Sequence, residues 1–140
     1  MAEGLQVVIV SPQGEIFSGT AKMVFIKGAE GDLGIAPGHL QLLTRIAPGP
    51  VRVLPEEGEE VLLYVSGGIV EIQPDKVSIL ADTVERPQDV NEAAAIEAKR
   101  RAEKLLTEKG IDRKHTQQDL MEALAKLRVL ELARARRKRR

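Results

Sequence analysis

Cysteine is absent from the 140 residues, and histidine occurs only as His39 and His115. That excludes disulfide staples, thiol catalysis, zinc ribbons and iron–sulfur clusters, and it suits a reducing compartment. Aromatic residues are nearly missing too: Phe17, Phe25 and Tyr64 are the whole set, with no tryptophan. Recognition by stacking on bases, sugars or Pro-rich peptides has few groups to use. The longest apolar runs, Val7 to Val10 and Val61 to Val65, are far too short to span a bilayer. Met1-Ala-Glu-Gly lacks the basic start and apolar stretch of a signal peptide. With 43% hydrophobic and 30% charged residues, the sequence reads as a soluble protein with apolar material for a core. Its length gives room for one ordinary domain, or a small domain with a helical appendix.

The formal net charge of zero hides two unlike parts. Residues 1–87 carry six Lys and Arg against twelve Asp and Glu, whereas residues 88–140 carry fifteen against nine. All seven prolines and eleven of the twelve glycines lie before Gln88. Such punctuation predicts an all-β first part and a helical second part, divided as 1–86 and 87–140.

In the first part, Leu5 to Val10, Glu15 to Ser18, Met23 to Lys27, Val51 to Leu54, Val61 to Val65, Ile69 to Gln73 and Val77 to Leu80 read as strands at sandwich or barrel spacing. Pro12-Gln13-Gly14, Gly31-Asp32-Leu33-Gly34, Pro48-Gly49-Pro50, Glu57-Gly58, Gly67-Gly68 and Pro74-Asp75 read as turns, and connections this short favour antiparallel neighbours. The continuous run Val61-Leu-Leu-Tyr-Val65 predicts a strand covered on both faces, and the alternation of Ile69-Val-Glu-Ile-Gln73 a half-exposed one. After Pro87, Asp89 with Glu92 has capping-box spacing for a first helix reaching about Glu108, with Gly110 in the reversal. Thr116 with Asp119 repeats that spacing for a second helix, whose apolar stripe is Leu120, Ala123, Leu124, Leu127 and Leu130. The fold class is therefore an antiparallel β-sandwich followed by an antiparallel two-helix hairpin, the hairpin held less firmly than the sandwich.

Catalytic signatures fail on their chemistry. Gly14 to Thr20 lacks the lysine of a phosphate loop and precedes no helix. Gly28, Gly31 and Gly34 do not have the dinucleotide-binding spacing. Ser66-Gly67-Gly68 has Tyr64 where a nucleophile elbow needs glycine. Two histidines without an HExxH pattern make no zinc site, so no metal and no independent catalysis are expected. Two features resist a bland reading. The segment Gly28-Ala-Glu-Gly-Asp-Leu-Gly-Ile-Ala-Pro-Gly-His39 sets Glu30, Asp32 and His39 among glycines, as partner-binding loops do. The end Ala133-Arg-Ala-Arg-Arg-Lys-Arg-Arg140 has six cations in eight residues, beyond what a helix C-terminus requires, and implies an acidic partner. A protein surface suits it better than nucleic acid, because the β part is acidic and aromatics are scarce. A free-standing basic-tailed nucleic-acid-binding module is the alternative.

The chain resembles the family of epsilon subunits of bacterial F-type ATP synthases, in its proteobacterial form. The resemblance rests on Glu30-Gly-Asp-Leu-Gly-Ile-Ala-Pro-Gly-His39 with Leu42-Leu-Thr44, Pro48-Gly49, Tyr64-Val-Ser-Gly-Gly-Ile-Val-Glu-Ile-Gln-Pro74, Val77-Ser-Ile-Leu-Ala-Asp82, Glu97-Ala-Lys-Arg-Arg-Ala-Glu103 and Leu127-Arg-Val-Leu-Glu-Leu132. These segments keep the family's order and spacing over nearly the whole chain. The resemblance implies a sandwich of about ten strands followed by a helical hairpin. It also implies a non-catalytic subunit of the rotary central stalk, at the cytoplasmic face of the bacterial inner membrane and monomeric when isolated. Such a subunit couples proton flow through the c-ring to ATP synthesis and inhibits ATP hydrolysis through its C-terminal helices.

Residue by residue, the resemblance places Glu30, Asp32 and His39 in the loop that meets the γ subunit and the c-ring. It places Arg128, Arg134, Arg136, Arg137, Lys138, Arg139 and Arg140 on the helix that, when extended, faces acidic segments of the α/β catalytic head. One departure concerns nucleotide. Some members bind ATP through Ile/Leu-Asp followed two residues later by Arg-Ala, and this chain reads Val90-Asn91-Glu92-Ala93-Ala94-Ala95. Asn91 replaces the acid and Ala94 the arginine, so phosphates lose their planar bidentate partner and no nucleotide cofactor is expected.

Overall fold

Period-two burial shapes residues 5–85 of the structure, a computed structural model that describes residues 4–138. Eight strands follow one another: β1 (Leu5–Ser11), β2 (Gly14–Gly28), β3 (Gly31–Ile35), β4 (Leu42–Pro55), β5 (Val61–Val65), β6 (Gly68–Gln73), β7 (Lys76–Ala81) and β8 (Val84–Glu85). Alternate side chains of each point inward, including Leu5, Val7 and Ile9 of β1, Val70 and Ile72 of β6, and Val77 and Ile79 of β7. Each fully buried Val, Leu or Ile stabilises the fold by about 1.5–3 kcal/mol relative to an exposed one.

The strands run in the order β3-β2-β1-β7-β6-β4-β5-β8, and β2 also pairs with β4. That extra pairing closes β2, β1, β7, β6 and β4 into a ring, a sandwich with barrel-like closure. All pairings are antiparallel except β1 with β7, where Val7 faces Val77 and Ile9 faces Ile79 in parallel register. Most of the sandwich lies between these two strands in sequence, so no short hairpin dictates their direction.

The sandwich-plus-hairpin class is as the sequence predicts, whereas several local readings change. The two expected strands Glu15 to Ser18 and Met23 to Lys27 are halves of one strand, β2, which pairs β1 through its first half and β3 and β4 through its second. Likewise Pro48-Gly49-Pro50 is no turn but the middle of β4. Leu42 to Ile46 pair with β6 and Gly49 to Val53 with β5. Pro48 falls at the handover, where a missing N–H deprives neither ladder of a donor. If the halves of β2 and β4 are taken separately, eight continuous strands correspond to the ten expected. Gly31 to Gly34, also expected as a turn, forms most of edge strand β3, with Leu33 half-buried and Ile35 fully buried.

A 3-10 turn at Pro87–Asp89 leads into α1 (Glu92–Leu105), and a reversal through Gly110 (φ +80°) leads into α2 (Arg113–Lys138). Both caps differ from expectation by a few residues. Asn91 rather than Asp89 caps α1, its side chain accepting from the Ala94 N–H at 3.0 Å, because Asp89 is consumed in the turn that Pro87 starts. Asp112 rather than Thr116 caps α2, its Oδ1 accepting from the His115 N–H at 3.1 Å. Thr116 lies one turn inside the helix, buried, with its hydroxyl donating to the Asp112 carbonyl.

Candidate functional site

The run Val61 to Val65 carries the most informative surface. Leu63 and Val65 of β5 point into the sandwich, while Leu62 and Tyr64 point out and are just as buried, because α2 lies on them. The seam consists of Leu62, Tyr64 and Val90 against Ala125, Val129, Leu130 and Ala133, with Val129 fully buried. Ala125, Val129 and Ala133 recur every four residues, so small side chains bring the helix close to the strand. The hairpin is thus folded down on the sandwich.

Charge contacts frame this seam. Lys126 Nζ lies 3.4 Å from a Glu85 carboxylate oxygen and 5.4 Å from the centre of the Tyr64 ring. Arg134 Nη2 donates to Glu92 Oε1 at 2.8 Å, joining the end of α2 to the start of α1. That hydrogen bond holds the Glu92 carboxyl below its usual range. The pair therefore contributes above the ordinary carboxylate range, and the contribution is lost as pH falls through the lowered Glu92 value. Arg136 Nη1 donates to the Glu60 carbonyl at 2.6 Å, while the Glu60 carboxylate accepts from Arg52 Nε at 2.9 Å. Arg137 and Lys138 are exposed and make no ion pair or hydrogen bond with the described residues. Arg139 and Arg140 lie outside the described residues.

Two polar atoms at the seam, the Tyr64 hydroxyl and Arg136 Nε, are buried without a partner among the described residues. Burial pushes the Tyr64 phenol far above its ordinary value, and the charges of Glu122 and Glu85 push it the same way. Leaving a buried hydroxyl unpaired costs about 1–3 kcal/mol. Tyr64→Phe is therefore expected to raise the stability of the folded-down chain by about 1 kcal/mol, read from the urea midpoint; a lowered midpoint would reveal a partner for the hydroxyl.

The other sequence-predicted residues scatter. Glu30 and Asp32 are exposed at the β2–β3 reversal, whose Ala29 N–H donates to the Arg45 carbonyl at 2.9 Å. His39 is half-buried at the far end of β6, where the Gly38 N–H donates to the Pro74 carbonyl at 2.7 Å. Most of the length of β6 separates His39 from the other two, so the three are not one cluster. Asp32 instead shares the lining of a groove of about 540 Å³ with Arg128, Phe25, Lys27, Leu33 and Leu124. Arg128 also pairs with Glu131 on its own helix at 3.1 Å.

A second groove, of about 420 Å³, runs between the helices past Asn91 and Ala94. Its walls carry Glu85, Asp119 and Glu122 against Arg101 and Lys126, a lining that opposes a polyphosphate. Ser66 is structural: its hydroxyl accepts from the Thr83 N–H at 3.0 Å and from the Thr83 hydroxyl at 2.7 Å. Among the described residues, no group of His, Asp and Glu is placed to hold a metal ion, and no helix is long and apolar enough to cross a membrane.

The outer side of β6, β7 and the first half of β4 carries exposed apolar side chains, bordered by Gln118 and Met121 of α2. In one row Arg45 faces Ile69 and Ile69 faces Leu80; in the next Leu43 faces Glu71. Leu43 is 68% exposed, Leu80 55% and Ile69 44%, neighbouring apolar side chains on one stretch of sheet.

A closed sandwich carrying a helical hairpin over β4 and β5, with exposed apolar side chains on β4, β6 and β7, defines a two-part chain built for contact with other proteins. Residues 4–87 match the beta-sandwich domain of the ATP synthase delta/epsilon chain, and residues 88–131 match its long alpha-helix domain. The chain belongs to the ATP synthase delta/epsilon family. It is 54% identical over 137 residues to the ATP synthase epsilon chain of Alkalilimnicola ehrlichii, covering 96% of this chain and 98% of that one. It is 52% identical over 138 residues to that of Halorhodospira halophila, with the same coverage. The fold is similar to a chain of the Euglena gracilis mitochondrial ATP synthase, with a TM-score of 0.71, 17% identity and coverage of 95% and 81%. It is also similar to one from the central stalk and c-ring of the Tetrahymena thermophila enzyme, with a TM-score of 0.67, 17% identity and coverage of 91% and 96%. The resemblance read from the sequence holds, and the nucleic-acid alternative finds no support in these relatives.

Proposed function

We propose that the chain is a non-catalytic central-stalk subunit of a rotary ATP synthase, peripheral to the membrane at its cytoplasmic face, with two working parts. Residues 1–86 join it to the γ subunit and the c-ring, so that proton flow is coupled to synthesis. Glu30, Asp32 and His39 contribute to that contact, and the stretch of sheet bearing Leu43, Ile69 and Leu80 supplies its apolar area. Residues 87–140 regulate: released from the sandwich, α2 presents Arg128, Arg134 and Arg136 to Arg140 to acidic surfaces of the α/β head and slows hydrolysis.

The observation that carries this reading is the narrow seam under α2, small side chains framed by a few exposed charges, beside a sandwich with a complete core of its own. A helix so attached leaves without unfolding the rest. The test spares every folded-down contact made among the described residues. Replacing Arg137, Lys138, Arg139 and Arg140 together by glutamine is expected to leave assembly intact and to raise hydrolysis by the assembled enzyme severalfold, as lost Arg–carboxylate contacts would. Unchanged hydrolysis would move the inhibitory contact to Arg128 and the Leu127 to Leu132 face.

A further inference from the structure

Arg134 and Arg136 stand apart from the rest of the basic end. Both are engaged in the folded-down form, on Glu92 and on the Glu60 carbonyl, whereas Arg137 and Lys138 beside them pair with nothing described. The two seats differ in quality. Arg134 and Glu92 are both about half exposed, with side-chain exposures of 53% and 41%, so their attraction is weak and screened by salt. Arg136 is more enclosed, yet among the described residues its planar fork meets a single carbonyl oxygen and its buried Nε has no partner. A guanidinium is matched by two acceptor oxygens side by side, which a carboxylate offers and a lone carbonyl does not. The folded-down seat therefore holds Arg136 while leaving part of its hydrogen-bonding capacity unused.

We propose that Arg134 and Arg136 form an electrostatic latch that an acidic protein surface opens by competition: the guanidiniums that hold α2 on Glu92 and Glu60 are the ones such a surface captures. One pair of side chains serves two mutually exclusive attachments, so the basic end stabilises both states. Carboxylates on the partner give Arg136 the second acceptor oxygen that the Glu60 carbonyl lacks. The trigger is then the local density of carboxylates, and ionic strength alone loosens the Arg134 contact more than the Arg136 one. This mechanism rests on the reading that α2 leaves the sandwich, and it is tested on the isolated full chain, apart from any effect on hydrolysis.

Amide exchange over Val129 to Ala133, measured against the protected amides of β6 and β7, reports opening of the seam. Arg136→Gln is expected to speed that exchange roughly tenfold, the loss of one charge-assisted bond, and Arg134→Gln no more than about fivefold. The double change Arg137→Gln and Lys138→Gln is expected to leave it alone. Adding poly-glutamate to the parent chain is expected to speed exchange at Val129 to Ala133, with little further effect on the chain bearing both Arg134→Gln and Arg136→Gln. Parent-like exchange in the Arg136 variant overturns the latch. Faster exchange in the variants with no response of the parent to poly-glutamate overturns the competition. Unchanged hydrolysis in the assembled enzyme, with the exchange results as expected, would count against the proposed inhibition and not against the latch.

Discussion

Gly68→Ala is expected to destabilise the sandwich by about 4 kcal/mol, the strain of a left-handed backbone plus forced displacement of packed atoms. Gly68 has φ +140°, a conformation that L side chains rarely adopt, and an added Cβ would collide with the Leu80 carbonyl. Neither partner has room to yield. Gly68 faces Ala81 at the end of the β6–β7 ladder and Ile46 at the end of the β4–β6 ladder, so a shift there disturbs two registers at once. Chemical denaturation monitored on the sandwich checks it. A cost under 1 kcal/mol would show that this corner relaxes freely. Gly58 is the control, for its φ is also positive but nothing lies near its missing Cβ.

The second large effect belongs to the seam. Val129→Asp removes a fully buried side chain and sets a carboxylate against Leu62 and Tyr64, a burial costing several kcal/mol if the helix stays. The helix has an escape, because the sandwich core contains none of its residues. The cost to the chain is therefore capped at the free energy of docking, and the expected outcome is an intact sandwich bearing an undocked hairpin. Amides of α2 should exchange rapidly while those of β1, β6 and β7 keep their protection. In the assembled enzyme, under the proposed function, the same variant should be more strongly inhibited than the parent. Loss of sandwich protection would mean that the hairpin is part of one cooperative unit, contrary to the reading of residues 1–86 as independent.

What the sequence made legible was whatever a period fixes. The alternation of β6 and the continuous run of β5 each announced their environment correctly, and the loss of proline and glycine after Pro87 marked the change to helix. Punctuation misled where geometry overrode it. Leu33 and Ile35 alternate as strand residues should, but the glycines around them read as a turn. Pro48 read as a stop because its role, passing β4 from one partner to another, exists only in three dimensions. On α2 the expected stripe held only two of the six buried residues, Ala123 and Leu130: Leu124 is 44% exposed, while Ala125, Val129 and Ala133 form the seam. The helix has two seams on opposite sides, Thr116 and Ala123 toward α1 and the alanine–valine row toward β5, so apolar residues surround it and no single stripe stands out. At the site, the cations were visible as a run but their partners were not. Glu92 looks like an ordinary surface acid, and the Glu60 carbonyl like any strand-end carbonyl, until the fold brings α2 beside them.

The unpaired hydroxyl of Tyr64 takes on another meaning if α2 comes and goes. Beneath the helix the phenol is dry and wastes its hydrogen-bonding capacity; with the helix lifted, water reaches it and supplies what the protein withholds. Hydration thus returns on release part of what lifting an apolar helix costs, and phenylalanine at this position would remove that return. A single oxygen atom sets how reluctantly the helix lets go, and tyrosine makes β5 a surface suited to being both covered and wetted.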